Sequence, residues 1–307
     1  MIAMRPSPVG DLRVAVTGAT GWLGRAACEV LAQEGAGRIE AFASRNRTLE
    51  LDAGPTLEVR PLVELVDTPH DVLLHYAYLT REHLAIRGVD EYVLENTAIT
   101  ATVCEALRRQ RPRALLHASS GAAATAGGDL RADPYGVLKR LDEHTLRSAA
   151  EDAGARCVTL RVYNVAGPWL AKSGFAVADI IAQVAAGESV KIRARHAVRR
   201  SYVDVEDLAL IGLALTTTDG LEADLRLDTA GEEAVEVGEL ARRICVVLGR
   251  PDLPIERHLL SDLPVDDYTA DGTRLHQLAR DLGIPLRGLD EQLRRTAEHL
   301  MSEANRR

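Results

Sequence analysis

Apolar and β-branched runs alternate with segments of helical periodicity along the first half of the chain. A buried strand is predicted over residues 12–17, a helix over 23–33 and a second strand over 39–44, with a glycine-punctuated turn between the first two. A strand, a helix and a second strand in this order are what a right-handed crossover between parallel strands requires. The pattern therefore predicts a parallel sheet covered by helices.

Later segments continue this alternation. Further strands are predicted over residues 57–62, 72–76, 114–118 and 157–162, and long helices over 90–109 and 135–153. Such alternation indicates an α/β fold with a doubly wound parallel sheet. Beyond residue 168 the regularity weakens, and we predict helices over 176–186, 237–248, 273–282 and 289–304 with strands over 190–194 and 200–205. This weaker pattern predicts a smaller second lobe.

Composition excludes several classes of protein. Of the 307 residues, 46% are hydrophobic and 27% charged, a balance typical of globular proteins that argues against disorder. The net charge is −8 and no basic run contains interleaved aromatic residues, so we expect no nucleic-acid partner. No stretch approaches the ~20 apolar residues of a membrane span, and no Cys or His residue has metal-ligand spacing. We expect a soluble cytoplasmic protein with no membrane association and no metal site.

Three glycines punctuate the turn between the first predicted strand and helix. The first, Gly18, stands where the strand turns. Gly21 stands where the backbone approaches a pyrophosphate, and Gly24 where the helix packs on the strand. Glycines also serve turns and packing alone, but here they follow a strand and open a helix. We therefore predict that the dinucleotide is bound by Gly18, Thr20, Gly21, Trp22, Leu23 and Gly24.

The end of the second predicted strand bears on which dinucleotide binds. In NAD-binding proteins an acidic residue there accepts hydrogen bonds from the ribose hydroxyls, whereas this chain reads Ser44-Arg45-Asn46-Arg47. A hydroxyl and guanidinium groups suit the 2′-phosphate of NADP through charge-assisted hydrogen bonds. We therefore predict NADP as the cofactor, contacted by Ser44 and Arg45, and keep NAD as the alternative.

Tyr135 and Lys139 form a pair at i,i+4 spacing. If their helix starts near Pro134, the phenol and the ammonium share one helix face. A phenol titrates near ~10 in water, and an adjacent cation favours the phenolate, which suits it for proton transfer near working pH. With seven tyrosines and three lysines in the chain, this spacing rarely arises by chance. We predict that Tyr135 transfers a proton while Lys139 supports it and reaches a ribose hydroxyl.

Two serines follow the strand predicted over residues 114–118. Open α/β sheets bind ligands at the carboxyl ends of their strands, so a hydroxyl there can donate to a substrate carbonyl and stabilise a developing alkoxide. Ser120 is the predicted catalytic hydroxyl, although serines at a strand end also form turns. Neither serine lies in a G-x-S-x-G elbow, which argues against a hydrolase.

Together these motifs resemble those of the extended short-chain dehydrogenase/reductases, the NAD-dependent epimerase/dehydratase family. The resemblance runs from residues 17–24 through Ser120, Tyr135 and Lys139, and continues in 160–168 and 200–207. We expect a dinucleotide-binding Rossmann domain over residues 11–168 and about 199–230, and a substrate-binding lobe over 169–198 and 231–307. The resemblance also implies cofactor contacts from His75, Ala77, Asn96 and Val165, and substrate contacts from Tyr78, Asn164 and Arg200.

Departures from the family's motifs narrow the reaction. Gly121 and Ala122 follow Ser120 where the family's sugar 4,6-dehydratases need an acidic pair, so we predict no 4,6-dehydration. Hydride transfer remains, and the arginines after the second strand favour a nucleotide-sugar 4-ketoreductase that uses NADPH on a 4-keto-6-deoxyhexose. A 4-epimerase with tightly bound NAD would use the same residues. A non-catalytic dinucleotide-binding module is the second alternative.

Two further expectations come from the resemblance. The chain reads Arg60-Pro61-Leu62 where the family usually has an acid near the adenine, so the adenine pocket is expected to differ. The family's helix with the Tyr and Lys commonly joins its copy in a dimer interface, and apolar positions within residues 103–107 and 137–141 suit such a contact. We therefore expect a homodimer that acts on a nucleotide sugar, with Arg200 aimed at the diphosphate.

Overall fold

The computed structural model describes residues 9–52, 54–170, 174–260 and 262–306. The strands are β1 (Arg13–Thr17), β2 (Arg38–Ala43), β3 (Arg47–Glu50), β4 (Thr56–Pro61), β5 (Val72–His75), β6 (Ala114–Ser120), β7 (Arg156–Val162), β8 (Asn164–Ala166), β9 (Val190–Lys191), β10 (Val198–Asp204), β11 (Asp224–Thr229), β12 (Ala234–Glu236), β13 (Ile255–Glu256) and β14 (Asp266–Tyr268). The helices are α1 (Trp22–Gln33), α2 (Arg81–Arg87), α3 (Val89–Gln110), α4 (Ala122–Thr125), α5 (Pro134–Ala153), α6 (Ala176–Ala186), α7 (Val205–Thr217), α8 (Val237–Val247), α9 (Thr273–Asp281) and α10 (Leu289–Arg306).

Contacts divide the chain into two compact units. The first contains the described residues up to Val162, with Ala209–Leu227 and Arg280–Ile284. The second contains Tyr163–Leu208, Asp228–Ala279 and the described residues from Pro285 onward.

An eight-stranded sheet organises the first unit, in the order β11-β7-β6-β5-β1-β2-β4-β3. The pairs of β1 with β2 and β5, of β2 with β4, and of β6 with β5 and β7 are parallel, whereas β3 runs antiparallel to β4 at the edge. The strand order reverses on either side of β1, which places a topological switch point between β1 and β5. The predicted doubly wound α/β sheet of the Rossmann type is confirmed.

The longer elements of this unit lie where the periodicity predicts them, to within a few residues. β5 and β6 are buried along their whole length, as expected of parallel strands covered on both faces. The pattern does not predict β3, α2 or the 3₁₀ helix Leu62–Asp67, because segments of four to seven residues contain too little periodicity. That 3₁₀ helix fills the short connection between β4 and β5.

Apolar side chains of α3 and α5 cover one face of this sheet. Val103 and Leu107 of α3 are fully buried, and Val137 and Leu138 of α5 are 7% and 5% exposed. These four positions, which the resemblance assigns to a dimer contact, therefore serve mostly the chain's own core. Leu141, on the same helix, is 52% exposed. The homodimer stays a prediction.

The second unit is organised around β10. This strand pairs in parallel with β8 and β14 and antiparallel with β12. Residues 163–168, 199–208 and 228–230, expected in the first domain, therefore lie in the second unit. These units differ from the expected domains there because the partners of β10 are three-residue strands that are distant in sequence and leave no pattern of their own. Residues 280–284, expected in the lobe, belong to the first unit. The core of this unit contains Ile181, Val184, Leu240, Ile244 and Leu293.

Candidate active site

The glycine turn between β1 and α1 approaches the end of β5 more closely than a side chain would allow. Gly18 has a φ of +68°, and a Cβ on it would lie 2.7 Å from the amide nitrogen of Ala77. A Cβ on Gly24 would lie 2.1 Å from the carbonyl oxygen of Gly18. The amide of Gly21 donates to the Gly18 carbonyl at 2.8 Å. The turn at the switch point therefore requires glycine at positions 18 and 24.

The N-terminus of α1 fits an anion. Gly21 caps this helix without a side-chain acceptor, and the first helical turn has no acidic residue. Thr20 and Gly21 are exposed, and Trp22 and Leu23 are half-buried. The first amides of a helix lack intrahelical partners and carry the positive end of the helix dipole. Together with the exposed Thr20 and Gly21, this arrangement fits a dinucleotide pyrophosphate.

The segment after β2 presents a hydroxyl and cations. Ser44 and Arg45 are exposed, and so is Arg47 at the start of β3. The Ala19 amide donates to the Phe42 carbonyl at 3.0 Å, which ties the end of β2 to the glycine turn. The predicted 2′-phosphate contacts therefore lie at an accessible strand end.

A buried hydrogen-bond chain joins β1 to β5 at the switch point. Thr17 Oγ1 accepts a hydrogen bond from the Ala77 amide at 3.2 Å and lies 2.7 Å from His75 Nδ1. Burial and the nearby Lys139 charge lower the pKa of His75 to about 3, so the ring is neutral and can accept the hydroxyl proton. His75 and Ala77, which the resemblance assigns to the cofactor, thus lie beside Gly18.

Helix α5 begins at Pro134, as its sequence predicts. Asp133 Oδ1 accepts a hydrogen bond from the Gly136 amide at 3.0 Å, and proline takes the first helical position, where an amide donor is not needed. A Cβ on Gly136 would lie 3.0 Å from the carbonyl oxygen of Ala122. The first turn of α5, which carries Tyr135, therefore lies against the residues that follow Ser120.

Lys139 is buried on the face of α5 that packs on β6. Its Nζ donates to the carbonyl oxygen of Ala118 at 2.8 Å and lies 3.5 Å from the ring centroid of Tyr78. Burial lowers the pKa of Lys139 to about 8, while Asp142 and Glu143 oppose the shift. The Tyr78 ring stabilises the ammonium through a cation–π interaction. The Lys139 ammonium is therefore held at the carbonyl of Ala118, which lies two residues before Ser120 in β6.

Tyr135 lies beside an aromatic ring and a guanidinium group. Its ring meets that of Tyr78 edge-on, with 6.0 Å between centroids and 79° between planes. The guanidinium carbon of Arg81 lies 4.8 Å from the Tyr135 ring centroid, and Arg81 also lies 4.0 Å from Asp133. Tyr78 therefore contacts both members of the predicted pair, and Arg81 adds a second cation beside the phenol.

The two serines at the end of β6 have different partners. Ser119 Oγ donates to Glu143 Oε1 at 2.6 Å, and Arg161 donates two hydrogen bonds to the same carboxylate at 2.8 and 2.7 Å. Burial raises the pKa of Glu143, but these bonds outweigh it and hold the value below the usual range. Ser120 Oγ accepts a hydrogen bond from the Ala122 amide at 3.3 Å. Because Ser119 is committed to this ion pair, Ser120 is the better candidate for catalysis.

A second buried carboxylate lies one helical turn after Lys139. Asp142 is 6% exposed, and its Oδ1 accepts a hydrogen bond from Thr100 Oγ1 of α3 at 2.8 Å. Its Oδ2 has no hydrogen-bond partner among the described residues. Burial raises the pKa of Asp142 to about 6, against the attraction of Lys139.

Asn96 holds the loop that follows β5. Its Oδ1 accepts a hydrogen bond from the Leu79 amide at 2.9 Å, and its Nδ2 donates to the Tyr92 carbonyl at 3.1 Å. The side chain is 1% exposed. Asn96 therefore positions the loop with Tyr78, and its direct contact with a cofactor stays a prediction.

In the second unit, two of the predicted substrate residues meet at Tyr268. Asn164 Nδ2 donates to the Tyr268 carbonyl at 3.2 Å, and the guanidinium carbon of Arg200 lies 5.8 Å from the Tyr268 ring centroid. Arg200 also forms an ion pair with Asp266 at 2.7 Å. Val165, a predicted cofactor contact, is half-buried in β8 beside β10.

Three residues near these groups leave no signal in the sequence. Arg81 and Tyr268 reach predicted site residues across separate elements, by contacts that only the fold creates. Asp142 lies on the same helix as Lys139, but its hydrogen-bond partner Thr100 lies on α3. Spacing within one helix predicts the pair of Tyr135 and Lys139, because both lie on the same element. An acidic residue in a helix most often faces solvent, so the burial of Asp142 is not predictable from its neighbours.

Neither a metal-binding cluster nor a membrane-crossing helix occurs in the part of the chain that the structure describes. There, no group of three or more His, Cys, Asp or Glu residues could hold a metal ion. Within the same ranges, no helix combines the length and the apolar character needed to cross a bilayer.

Comparison with known proteins gives one match to a family model. The model described as the NAD dependent epimerase/dehydratase family matches residues 14–223. A solved structure of MoeE5 in complex with UDP-glucose and NAD is similar at a TM-score of 0.73 and 25% identity, over 95% of this chain and 99% of that chain.

Two curated relatives are similar over parts of their length. A Pseudomonas aeruginosa protein named UDP-2-acetamido-2,6-beta-L-arabino-hexul-4-ose reductase is 27% identical over 236 residues, which cover 76% of this chain and 57% of that protein. A UDP-glucose 4-epimerase of Azospirillum brasilense is 30% identical over 177 residues, which cover 50% of this chain and 49% of that protein. The chain thus spans about half the length of these curated relatives.

Proposed function

The chain belongs to the NAD-dependent epimerase/dehydratase family, and we propose that it reduces the 4-keto group of a nucleotide-linked 6-deoxyhexose with NADPH. The observation that carries this proposal is how α5 is anchored on the end of β6. Lys139 donates to the Ala118 carbonyl, and Gly136 lies against Ala122. The helix that carries the phenol and the ammonium is thereby fixed against the strand that ends at Ser120.

Each side chain of this group has a defined part in the reduction. NADPH held at the glycine turn between β1 and α1 would supply the hydride for the keto carbon. Ser120 donates a hydrogen bond to the keto oxygen, and the Tyr135 phenol gives that oxygen its proton. Lys139 provides positive charge beside the phenol and reaches a ribose hydroxyl. Gly121 and Ala122 cannot transfer a proton, which argues against elimination of water at this site.

The choice of NADP over NAD depends on the segment after β2. Ser44 and Arg45 are exposed there, and no carboxylate stands at these positions to accept hydrogen bonds from a 2′-hydroxyl. A guanidinium and a hydroxyl match the 2′-phosphate. MoeE5 is described with NAD, so NAD is the rival that the experiment must include.

Two observations support the proposed substrate class, one from a relative in the family and one from residues of the second unit. The relative named as a hexul-4-ose reductase supports a 4-keto sugar, and Arg200 is the proposed anchor of its diphosphate. Asn164 is proposed to contact the same substrate.

A coupled assay tests the proposal. We expect a UDP- or dTDP-linked 4-keto-6-deoxyhexose to be reduced with loss of NADPH absorbance, and NADPH to be used more efficiently than NADH. Purified protein should contain no bound cofactor, because a reductase exchanges it at each turnover. Absence of reduction with every nucleotide-linked 4-keto sugar tested, under conditions where the cofactor binds, would contradict the proposal.

A 4-epimerase is the second candidate, supported by the similarity to a UDP-glucose 4-epimerase. Such an enzyme would retain NAD through purification and would interconvert UDP-glucose and UDP-galactose without added cofactor. That pair of results, with no net oxidation of added NADPH, would replace the reductase by the epimerase.

A further inference from the structure

The guanidinium of Arg200 already holds a carboxylate. Its Nη2 donates to Asp266 Oδ2 at 2.7 Å, and its Nη1 donates to Asp266 Oδ1 at 3.2 Å. Nη1 also lies within hydrogen-bond distance of two backbone oxygens, that of Arg199 at 2.8 Å and that of Asp266 at 2.9 Å. The guanidinium nitrogens of Arg200 that would bind a substrate phosphate therefore already bind acceptors within the chain.

The local fold explains why this carboxylate is within reach. β14 runs parallel to β10, with Asp266 opposite Val198 and Tyr268 opposite Arg200. The Arg200 side chain reaches back along this pair to Asp266, and His196 Nε2 lies 4.0 Å from the same carboxylate. All of these residues belong to the second unit.

The exposure of the pair indicates that it can open. The Arg200 side chain is 22% exposed, whereas that of Asp266 is 46% exposed. An ion pair this close to solvent contributes little to stability, so it can be exchanged for another anion. A phosphate offers the guanidinium the same two-point geometry as a carboxylate, with more negative charge.

We propose that Asp266 competes with the substrate for Arg200 and occupies this guanidinium until the diphosphate of a nucleotide sugar displaces it. This inference rests on the proposed function, because it takes the diphosphate as the ligand of Arg200. Displacement frees a carboxylate that then lies near the phosphates. Asp266 therefore weakens nucleotide binding and favours release of the nucleotide-linked product.

Substitution of Asp266 by Asn tests this competition. Asn keeps a hydrogen-bond acceptor and removes the charge, so the dissociation constant of UDP or dTDP should fall about fivefold. The matched control is Asp267→Asn, which removes a carboxylate one residue away that pairs instead with Arg199 at 3.3 Å. The control should bind UDP and dTDP like the wild type, and neither substitution should alter binding of the free nucleosides.

A double substitution isolates the role of Arg200. If Asp266 acts by occupying this guanidinium, Asp266→Asn should give no gain in UDP affinity when Arg200 is already replaced by Gln. Calorimetric titrations of the four proteins in one buffer, with thermal unfolding as a check on folding, provide these values.

The possible outcomes separate this inference from the proposed function. The competition would be overturned if the Asp266→Asn protein bound UDP and dTDP no more tightly than the wild type. It would also be overturned if the Asp267→Asn control gained the same affinity. Reduction of 4-keto sugars by the wild type would be unaffected by either result. Failure of the wild-type protein to bind UDP and dTDP and to reduce their 4-keto sugars would overturn both.

Discussion

A buried carboxylate and a buried ammonium lie one helical turn apart on α5. Replacing Asp142 by Asn removes its negative charge and should lower the pKa of Lys139 further. Asp142 is the largest influence that opposes the effect of burial on the pKa of Lys139. The pH above which activity falls should therefore move down by about one unit in the Asp142→Asn protein. Profiles of kcat/KM against pH measure this shift.

The same profiles contain an internal check. Burial raises the pKa of Asp142 to about 6, so below that pH the wild-type carboxyl is protonated and the two proteins should behave alike. Asp152→Asn, an exposed position on the same helix, is the control and should leave the profile unchanged. Superimposable alkaline limbs for wild type and Asp142→Asn would contradict the role given to this carboxylate.

At the scale of single residues, the sequence predicts those whose partners lie on the same helix or strand. The pair of Tyr135 and Lys139 is predicted from its spacing, and Ser120 from its place at the end of a strand. The contacts of Arg81 with Tyr135 and of Tyr78 with Lys139 cross between elements. Such contacts depend on how the loop after β5 folds, and no periodicity encodes that.

The glycine turn provides a test at the scale of an element. Gly18 and Gly35 both have positive φ, +68° and +72°, but only Gly18 would place a Cβ against backbone, whereas Gly35 has nothing within 4 Å. Replacing Gly35 by Ala should lower the free energy of unfolding by about 1 kcal/mol, the strain of the left-handed conformation. Replacing Gly18 by Ala should cost about 1–3 kcal/mol more, because its methyl group overlaps Ala77.

Cofactor affinity separates the two substitutions further. The Gly18→Ala protein should bind NADPH at least about tenfold more weakly, since the turn between β1 and α1 must deform. Urea unfolding and NADPH titration give both quantities for each variant. Equal losses of NADPH affinity in the Gly18→Ala and Gly35→Ala proteins would show that the close approach at Gly18 is irrelevant to binding.

Element length separates what can be predicted in this fold from what cannot. α1, α3 and α5 contain twelve or more residues each and lie where their periodicity places them. β8, β12 and β14 contain three residues each, and their positions are set by pairing with β10. This nonlocal pairing, rather than any local pattern, draws residues 199–208 into the second unit.

At the scale of the whole molecule, the family assignment and the first unit support the same chemistry. The first unit contains the glycine turn, Ser120, Tyr135 and Lys139, and the second contains Asn164 and Arg200. A protein that only bound a dinucleotide would need the turn but not the phenol. Tyr135, the proposed proton donor, is therefore the residue that distinguishes an enzyme from a binding module.

Replacement of Tyr135 by Phe tests the account most directly. We predict that kcat/KM for reduction of a nucleotide-linked 4-keto sugar falls by about a thousandfold, because proton transfer to the alkoxide is lost. The dissociation constant of NADPH should change little, and Tyr92→Phe, which removes a buried phenol hydroxyl on α3, should retain turnover. A Tyr135→Phe protein that reduces the sugar at the wild-type rate would contradict the account.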